Sequence, residues 1–242
     1  MSAPVFHRFA SLASTQDLAH ELAGQGAPAA TVVVASEQTK GRGTRGREWS
    51  SGAGGLWLTV ILRPTAPPAL EGLSLRVGMR LAAALEAAAG VPIGVKWPND
   101  LIARDRKLAG ILCEARWLGD RPGWVAVGVG VNVANPIPSE LADQAIRLAD
   151  LGYSGGPETL AETAAAAVIA AGDAGGSLSD AELAEFDRRD WLRGRQVDQP
   201  VPGTVAGLAP DGRLVVLGAD GARRLVAAPV SLPGLAPGGG SR

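Results

Sequence analysis

The segment Val5–Phe9 alternates like an edge strand, and Ser14-Thr15-Gln16-Asp17 then opens an amphipathic stretch running to about Gly24, which predicts strand, turn, helix. Residues 31–36 (TVVVAS) and 56–62 (LWLTVIL) are short apolar runs rich in β-branched residues, predicted as buried strands, the second closed by Arg63-Pro64. Between them lies a polar, glycine-rich loop over 37–55. Leu73, Val77, Leu81 and Leu85 recur at helical spacing inside 70–89, and Gly90 stands where a helix ends. Four strands are predicted at 93–96, 101–103, 107–116 and 124–133, and helices return at about 157–174 and 180–190. From Gly194 the pattern changes to short strands within 201–210, 212–218 and 223–230, separated by Asp-Gly turns at 211–212 and 220–221. The expected architecture is α/β (α+β) with a mixed sheet, a first domain over 1–193 and a small β-barrel domain over 194–242 whose last residues, 237–242, fray.

Composition narrows the function. With 46% hydrophobic and 19% charged residues in 242, the chain supports a sizeable core and is not disordered. A net charge of −1 gives no global attraction to nucleic acid or anionic lipid. Cys113 is the single cysteine, which excludes an intramolecular disulfide and a multi-Cys zinc site. No 18-residue apolar run and no signal-peptide pattern is present, so a soluble, cytoplasmic protein is expected, without membrane contact. Of 23 basic residues only Lys40, Lys96 and Lys107 are lysines, and Asn99, Asn132 and Asn135 are the only asparagines. These scarce residues concentrate in 96–107 and 127–135, with Lys40 beside the glycine-rich loop.

Residues 41–46, Gly-Arg-Gly-Thr-Arg-Gly, satisfy the dinucleotide-binding spacing, but the context fails: the loop runs on into a strand, with no helix and no ribose-binding acid. What remains is a loop with Arg42, Arg45 and Arg47 close together, ending at Trp49; it is either an anion-binding loop or a solvated basic one. Lys96-Trp97-Pro98-Asn99-Asp100 makes a rigid turn, and a strand beginning at Lys107 beside the preceding one brings its amine back near Asp100, while Gly110 lets a ligand approach the backbone. Cys113, Trp117, Trp124 and Trp191 are read as core packing, and His7 and His20 as surface or strand-edge residues away from every motif.

Taken together, GRGTRGREW at 41–49, KWPNDL at 96–101, KLAGIL at 107–112 with Glu114 after it, and GVGVNV at 128–133 resemble, in order and spacing, the successive motifs of the biotin–protein ligases. The resemblance covers 5–135 in motif detail and the C-terminal strands in pattern only. It implies a catalytic domain on a mixed sheet, as in lipoate–protein ligases, with a small SH3-like β-barrel. It also implies a two-step reaction, in which biotin and ATP with Mg²⁺ give biotinyl-5′-adenylate and a lysine of a biotin carboxyl carrier domain then displaces AMP. Lys107, Arg42 and Asp100 are the catalytic residues it implies, Lys107 contacting both the biotin carboxyl and the α-phosphate. Ser14, Thr15, Gln38, Gly41, Arg42, Lys107 and Gly110 would bind biotin, with Ser14 also capping a helix as part of a capping box. Arg45, Arg47, Trp49, Asn99, Asp100 and Asn132 would hold the nucleotide, Trp49 packing on adenine with Asn132 as its polar partner. Asp100 either holds the nucleotide or assists deprotonation of the incoming lysine. No metal held by the protein itself and no tightly bound prosthetic group is implied, and the oligomer is a monomer or homodimer.

Members that act as repressors carry an N-terminal DNA-binding domain; here the Ser-Thr motif begins at Ser14, so a monofunctional enzyme without nucleic-acid contact is expected. Thr44 stands where many members carry arginine, and Arg45 is the neighbouring replacement. The alternatives are a lipoate or octanoate ligase and a non-catalytic nucleotide-binding regulatory module.

Overall fold

A computed structural model describes residues 3–66, 70 and 72–232. Its main element is a seven-stranded mixed sheet in the order β1-β2-β3-β7-β6-β5-β4. The strands are β1 (Val5–Leu12), β2 (Thr31–Gln38), β3 (Leu56–Leu62), β4 (Gly94–Lys96), β5 (Asp100–Ala103), β6 (Arg106–Leu118) and β7 (Arg121–Val131). β1 and β2 are parallel, so helix α1 (Thr15–Gly24) serves as their crossover, while every other neighbouring pair is antiparallel.

Period-two alternation splits the sheet into two faces. Val32, Val60, Val127 and Val129 pack in the large core with α2 (Leu73–Ala89) and α3 (Pro157–Gly172). Val33, Ile61 and Ala126 point the other way, against Ala19 and Ala23 of α1. Two helices thus cover one face, whereas α1 covers only part of the other, and the uncovered remainder becomes the floor of a cleft.

Local signals account for the element ends. Ser14 caps α1, its Oγ accepting from the Gln16 N–H at 3.2 Å. The expected capping box is not made: Ser14 takes the Gln16 N–H in place of the Asp17 one, and the Asp17 carboxylate turns away to Arg42. α2 stops at Gly90 in the left-handed region (φ 68°), its N–H donating to the Glu86 carbonyl at 2.8 Å. It begins at Leu73, three residues after the expected start, and residues 67–69 and 71 lie outside the described ones. α4 (Asp180–Arg189) carries a complete capping box between Ser179 and Glu182. The fully buried Arg76 of α2 bonds Glu182 at 2.6 Å, tying α2 to the start of α4.

Strands β8 (Gln196–Val197), β9 (Gly203–Leu208), β10 (Leu214–Leu217) and β11 (Arg223–Val226) form a separate antiparallel sheet, ordered β11-β10-β9-β8. The turns at Asp211-Gly212 and Asp220-Gly221 fall where the sequence places them. A bridge between Gln199 and Ser231 ties the far ends of this small sheet together. Val197, Val205, Leu214 and Val216 belong to the same continuous core as the large sheet, and the Trp97 indole N–H donates to the Gly212 carbonyl at 2.9 Å. The tail expected to fray, 237–242, lies outside the described residues. Among the described residues no helix is long and apolar enough to cross a membrane.

Candidate functional site

The register writes a bare trough across the sheet. Lys96 pairs with Asp100, Asp100 with Gly110, Gly110 with Gly130, and Gly130 with Trp57, so these five residues form one row on the α1 face. One step along, Gly128 sits between Leu112 and Thr59. Side chains at these glycines would have no room. A Cβ on Gly110 or Gly130 would lie 3.0 or 2.8 Å from the Trp49 ring, and one on Gly128 2.7 Å from Gln16 Oε1. Above this floor opens a cleft of about 340 Å³, within the range of small-molecule sites.

One end of the cleft is a wall of polar groups. Gln38 Oε1 accepts from the Thr15 N–H at 2.7 Å and from the Thr15 hydroxyl at 3.0 Å, while its Nε2 donates to Ser51 Oγ at 2.8 Å. The buried Thr59 hydroxyl lies 2.9 Å from Thr15 Oγ1 and 3.2 Å from Gln16 Oε1, and Ser14, held as the helix cap, lines the same end. Thr59 has one proton for those two acceptors, so this wall retains capacity to accept from a ligand.

At the centre, Lys107 Nζ bonds Asp100 Oδ1 at 2.7 Å and lies 4.8 Å from the Trp49 ring. Backbone bonds fix Lys107 on both sides: its N–H donates to the Gln144 carbonyl and its carbonyl accepts from Ile146. Asn99 lines the cleft but spends its side-chain amide on the Ile111 carbonyl at 2.8 Å. Asn132 closes the far end, buried, with its Oδ1 accepting from Asn135 at 3.2 Å. Trp49 has its indole Nε1 buried without a partner.

The loop arginines do not act alike. Arg42 donates to Asp17 at 2.5 Å and to Glu114 at 2.6 Å, so the chain itself supplies the anions that the crowded guanidinium groups call for. Arg47 faces the cleft, and among the described residues its side chain makes only long bonds to Thr44, at 3.4 Å. Arg45 sits in a 3-10 turn, Thr44–Gly46, in the left-handed region (φ 60°), exposed and outside the cleft, whereas Thr44 lines it. Gly41 lies under Ser51 and Trp49, where a Cβ would collide with Ser51 Oγ and the Trp49 carbonyl; it shapes the loop without lining the cavity.

Several expectations need correcting. His20 is not a surface residue: its Nδ1 accepts from the Trp124 indole N–H at 2.9 Å, and its Nε2 faces Glu114 at 3.2 Å. Glu114 accepts from Gln16 as well, so α1, β6 and the loop converge on one carboxylate. Trp117 is 50% exposed near the end of β6, whereas Trp191 packs against the large core as expected and lines the cleft as well. Gln16, Thr59, Lys96 and Asp105 also line the cleft and were not singled out as site residues. The signal available for Lys96 was its rarity, and for Gln16 its place inside the Ser-Thr motif. Cys113 packs against the core as expected, and burial pushes its thiol up to about 12. Among the described residues no group of three or more His, Cys, Asp or Glu side chains is arranged to hold a metal ion.

The model of the Biotin/lipoate A/B protein ligase family matches residues 9–132. The bifunctional ligase/repressor BirA of Bacillus subtilis (strain 168) is 43% identical over 142 residues, 57% of this chain and 44% of that protein. The biotin–[acetyl-CoA-carboxylase] ligase of Mycobacterium tuberculosis is 40% identical over 129 residues, 51% of this chain and 46% of that protein. The matches thus span less than half the length of these curated relatives. In three dimensions, the biotin protein ligase from Aquifex aeolicus in complex with biotin and ATP superposes with a TM-score of 0.78 at 26% identity, covering 93% of this chain and 96% of that one.

Proposed function

The chain belongs to the Biotin/lipoate A/B protein ligase family, and on that premise we propose that it is a biotin–protein ligase, activating biotin with ATP and passing it to a lysine of a biotin carboxyl carrier domain. The observation that carries this reading is the layout of one cleft, with an accepting polar wall at Thr15, Gln38 and Thr59, a glycine floor, and the Lys107–Asp100 pair beyond it. Biotin has that profile: a ureido group that donates two N–H bonds, a compact bicycle with an apolar thioether ring, and a carboxylate at the end of a chain.

In this reading the ureido group meets the wall and the bicycle lies in the cleft between that wall and the Trp49 ring that rests on Gly110 and Gly130. The carboxylate then arrives beside Lys107, whose ammonium exchanges Asp100 for the carboxylate and the α-phosphate, neutralising two anions that would otherwise repel. Arg47, which lines the cleft and bonds Thr44 where Arg42 bonds two carboxylates, adds charge from above. Arg42 anchors the loop to α1 and β6 through Asp17 and Glu114. Trp49 and Asn132 hold the adenine, with Mg²⁺ entering as part of the nucleotide substrate. Once its lysine partner is occupied by the adenylate, Asp100 is free to accept a proton from the incoming carrier lysine, whose ordinary pKa near 10.4 otherwise keeps it protonated.

The test is biotin-dependent exchange of labelled pyrophosphate into ATP, followed by transfer to an isolated carrier domain. Exchange with biotin and not with lipoate or octanoate is expected. Exchange driven by lipoate or octanoate instead would make it a ligase for that acid, and ATP binding without exchange would make it a regulatory module.

A further inference from the structure

Lys96 carries a charge that the protein leaves uncompensated. It stands at the end of β4, opposite Asp100 in the row that crosses the glycine floor, and it lines the cleft. Asp100 is already bonded to Lys107. Among the described residues no hydrogen bond or ion pair reaches the Lys96 ammonium, which rests instead 5.4 Å from the ring of Trp191. That ring also carries the Arg195 guanidinium at 3.8 Å and is oriented by its own N–H, donated to Asp105 at 2.7 Å. Burial lowers the pKa of Lys96; Asp100 opposes this, but Lys107, Arg47 and Arg195 all push the same way as burial. With Asp100 bonded to Lys107 and Asp105 to Arg195, no carboxylate among the described residues is left for the half-buried Lys96, whose charge is costly unless an anion joins it.

The position says which anion. Each step along the row from Gly110 through Asp100 to Lys96 advances one strand, so Lys96 lies roughly 10 Å from the floor on the side away from the polar wall. That is the reach of a diphosphate. We propose that Lys96, backed by Trp191 and Arg195, binds the β- and γ-phosphates of the nucleotide and carries the pyrophosphate leaving group; this assignment rests on the ligase reading above.

The chemistry requires a group there. A carboxylate oxygen of biotin attacks the α-phosphorus from the floor side and forms the acyl–O–P bond. The bond from the α-phosphorus to the bridging oxygen breaks, its electron pair leaves on pyrophosphate, and no proton moves. In-line displacement puts the leaving oxygen opposite the attacking one, toward Lys96. A fixed cation at that point stabilises charge that exists only as the bond breaks.

The experiment compares the full chain with its Lys96→Met and Lys96→Arg variants in three measurements. Adenylate formation by Lys96→Met should fall about 100-fold and Lys96→Arg should restore part of it. Inhibition by added pyrophosphate should weaken about tenfold in Lys96→Met, one charge-assisted contact having been lost. Transfer from synthetic biotinyl-5′-adenylate to a carrier domain should stay within about twofold, because no pyrophosphate takes part in that step. Loss of transfer as deep as the loss of adenylation, or unchanged pyrophosphate inhibition, would overturn the assignment. Calorimetric titration of the nucleotide-free chain with magnesium pyrophosphate alone reads the site without any turnover. Weaker binding by Lys96→Met supports the assignment and equal binding overturns it, so this outcome separates from a wild type that shows no biotin-dependent exchange, which would sink the ligase reading instead.

Discussion

The ammonium of Lys107 lies 2.7 Å from the carboxylate of Asp100, on adjacent strands joined by a reversal in which Arg104 and Asp105 both take positive φ. The pair holds the cleft's central cation in place before any substrate arrives. Lys107→Met keeps the stem and removes the charge, so the chain should fold normally and lose about 10²–10³ in single-turnover adenylation. Lys40→Arg, at an exposed loop position, should be nearly silent in the same assay.

Gly130 and Gly110 are bare because Trp49 lies on them. Gly130→Ala should displace the indole, an overpacking worth about 1–3 kcal/mol at this site. Nucleotide affinity should fall by about tenfold or more, read by titration with ATP and by the changed Trp49 fluorescence. Unaltered affinity would mean that the ring has another resting place when ligand binds.

Thr44 lines the cleft and Arg45 does not. Thr44→Arg should therefore slow the escape of preformed biotinyl-adenylate, by adding a charge-assisted bond discounted by repulsion from Arg47. Arg45→Gly should leave that rate unchanged, since glycine accepts the left-handed backbone and the lost side chain faces solvent. Dissociation rates of the adenylate decide both, and a faster escape from Arg45→Gly would return Arg45 to the site.

Glu114 gathers Gln16, His20 and Arg42. Glu114→Gln should free Arg42 from β6 and raise KM for biotin, leaving transfer from preformed adenylate less affected. Because His20 Nδ1 accepts from Trp124, the ring is held neutral with its proton on Nε2, and burial lowers its pKa despite the Glu114 bond. A folded pKa below the unfolded value gives stability that is full above 6.5 and declines as pH falls below it. NMR titration of His20 should show a midpoint under 6.5, and a midpoint above that value would contradict the hydrogen-bond pattern.

The Arg76 guanidinium beside Glu182 holds its carboxyl down to about 2, from an ordinary 4.5. A depressed carboxylate pKa contributes stability present above 4.5 and lost as pH falls toward 2. Glu182→Gln takes from the buried Arg76 the carboxylate it bonds at 2.6 Å and should cost about 3 kcal/mol at neutral pH. The gap between variant and wild type should close in urea titrations run at progressively lower pH.

Hydrophobic periodicity by itself determined the order and kind of the seven strands of the large sheet and the four helices, because each buries one local face written at fixed spacing, whereas the two-residue β8 is too short to show a period. The Lys107–Asp100 encounter was legible for the same reason: a tight reversal makes the two strands neighbours in sequence as well as in space. The glycine motif around Gly128 and Gly130 was visible as a place of close approach, but not what approaches. Trp49 reaches Gly130 and Gln16 reaches Glu114, 98 residues away, only because β7 inserts between β3 and β6 in the sheet. That order is set by how the whole sheet buries its two faces, which no local pattern records. The same tertiary decision gave Arg42 its two carboxylates, drew His20 in from the surface, and left Lys96 beside Trp191 with no carboxylate of its own.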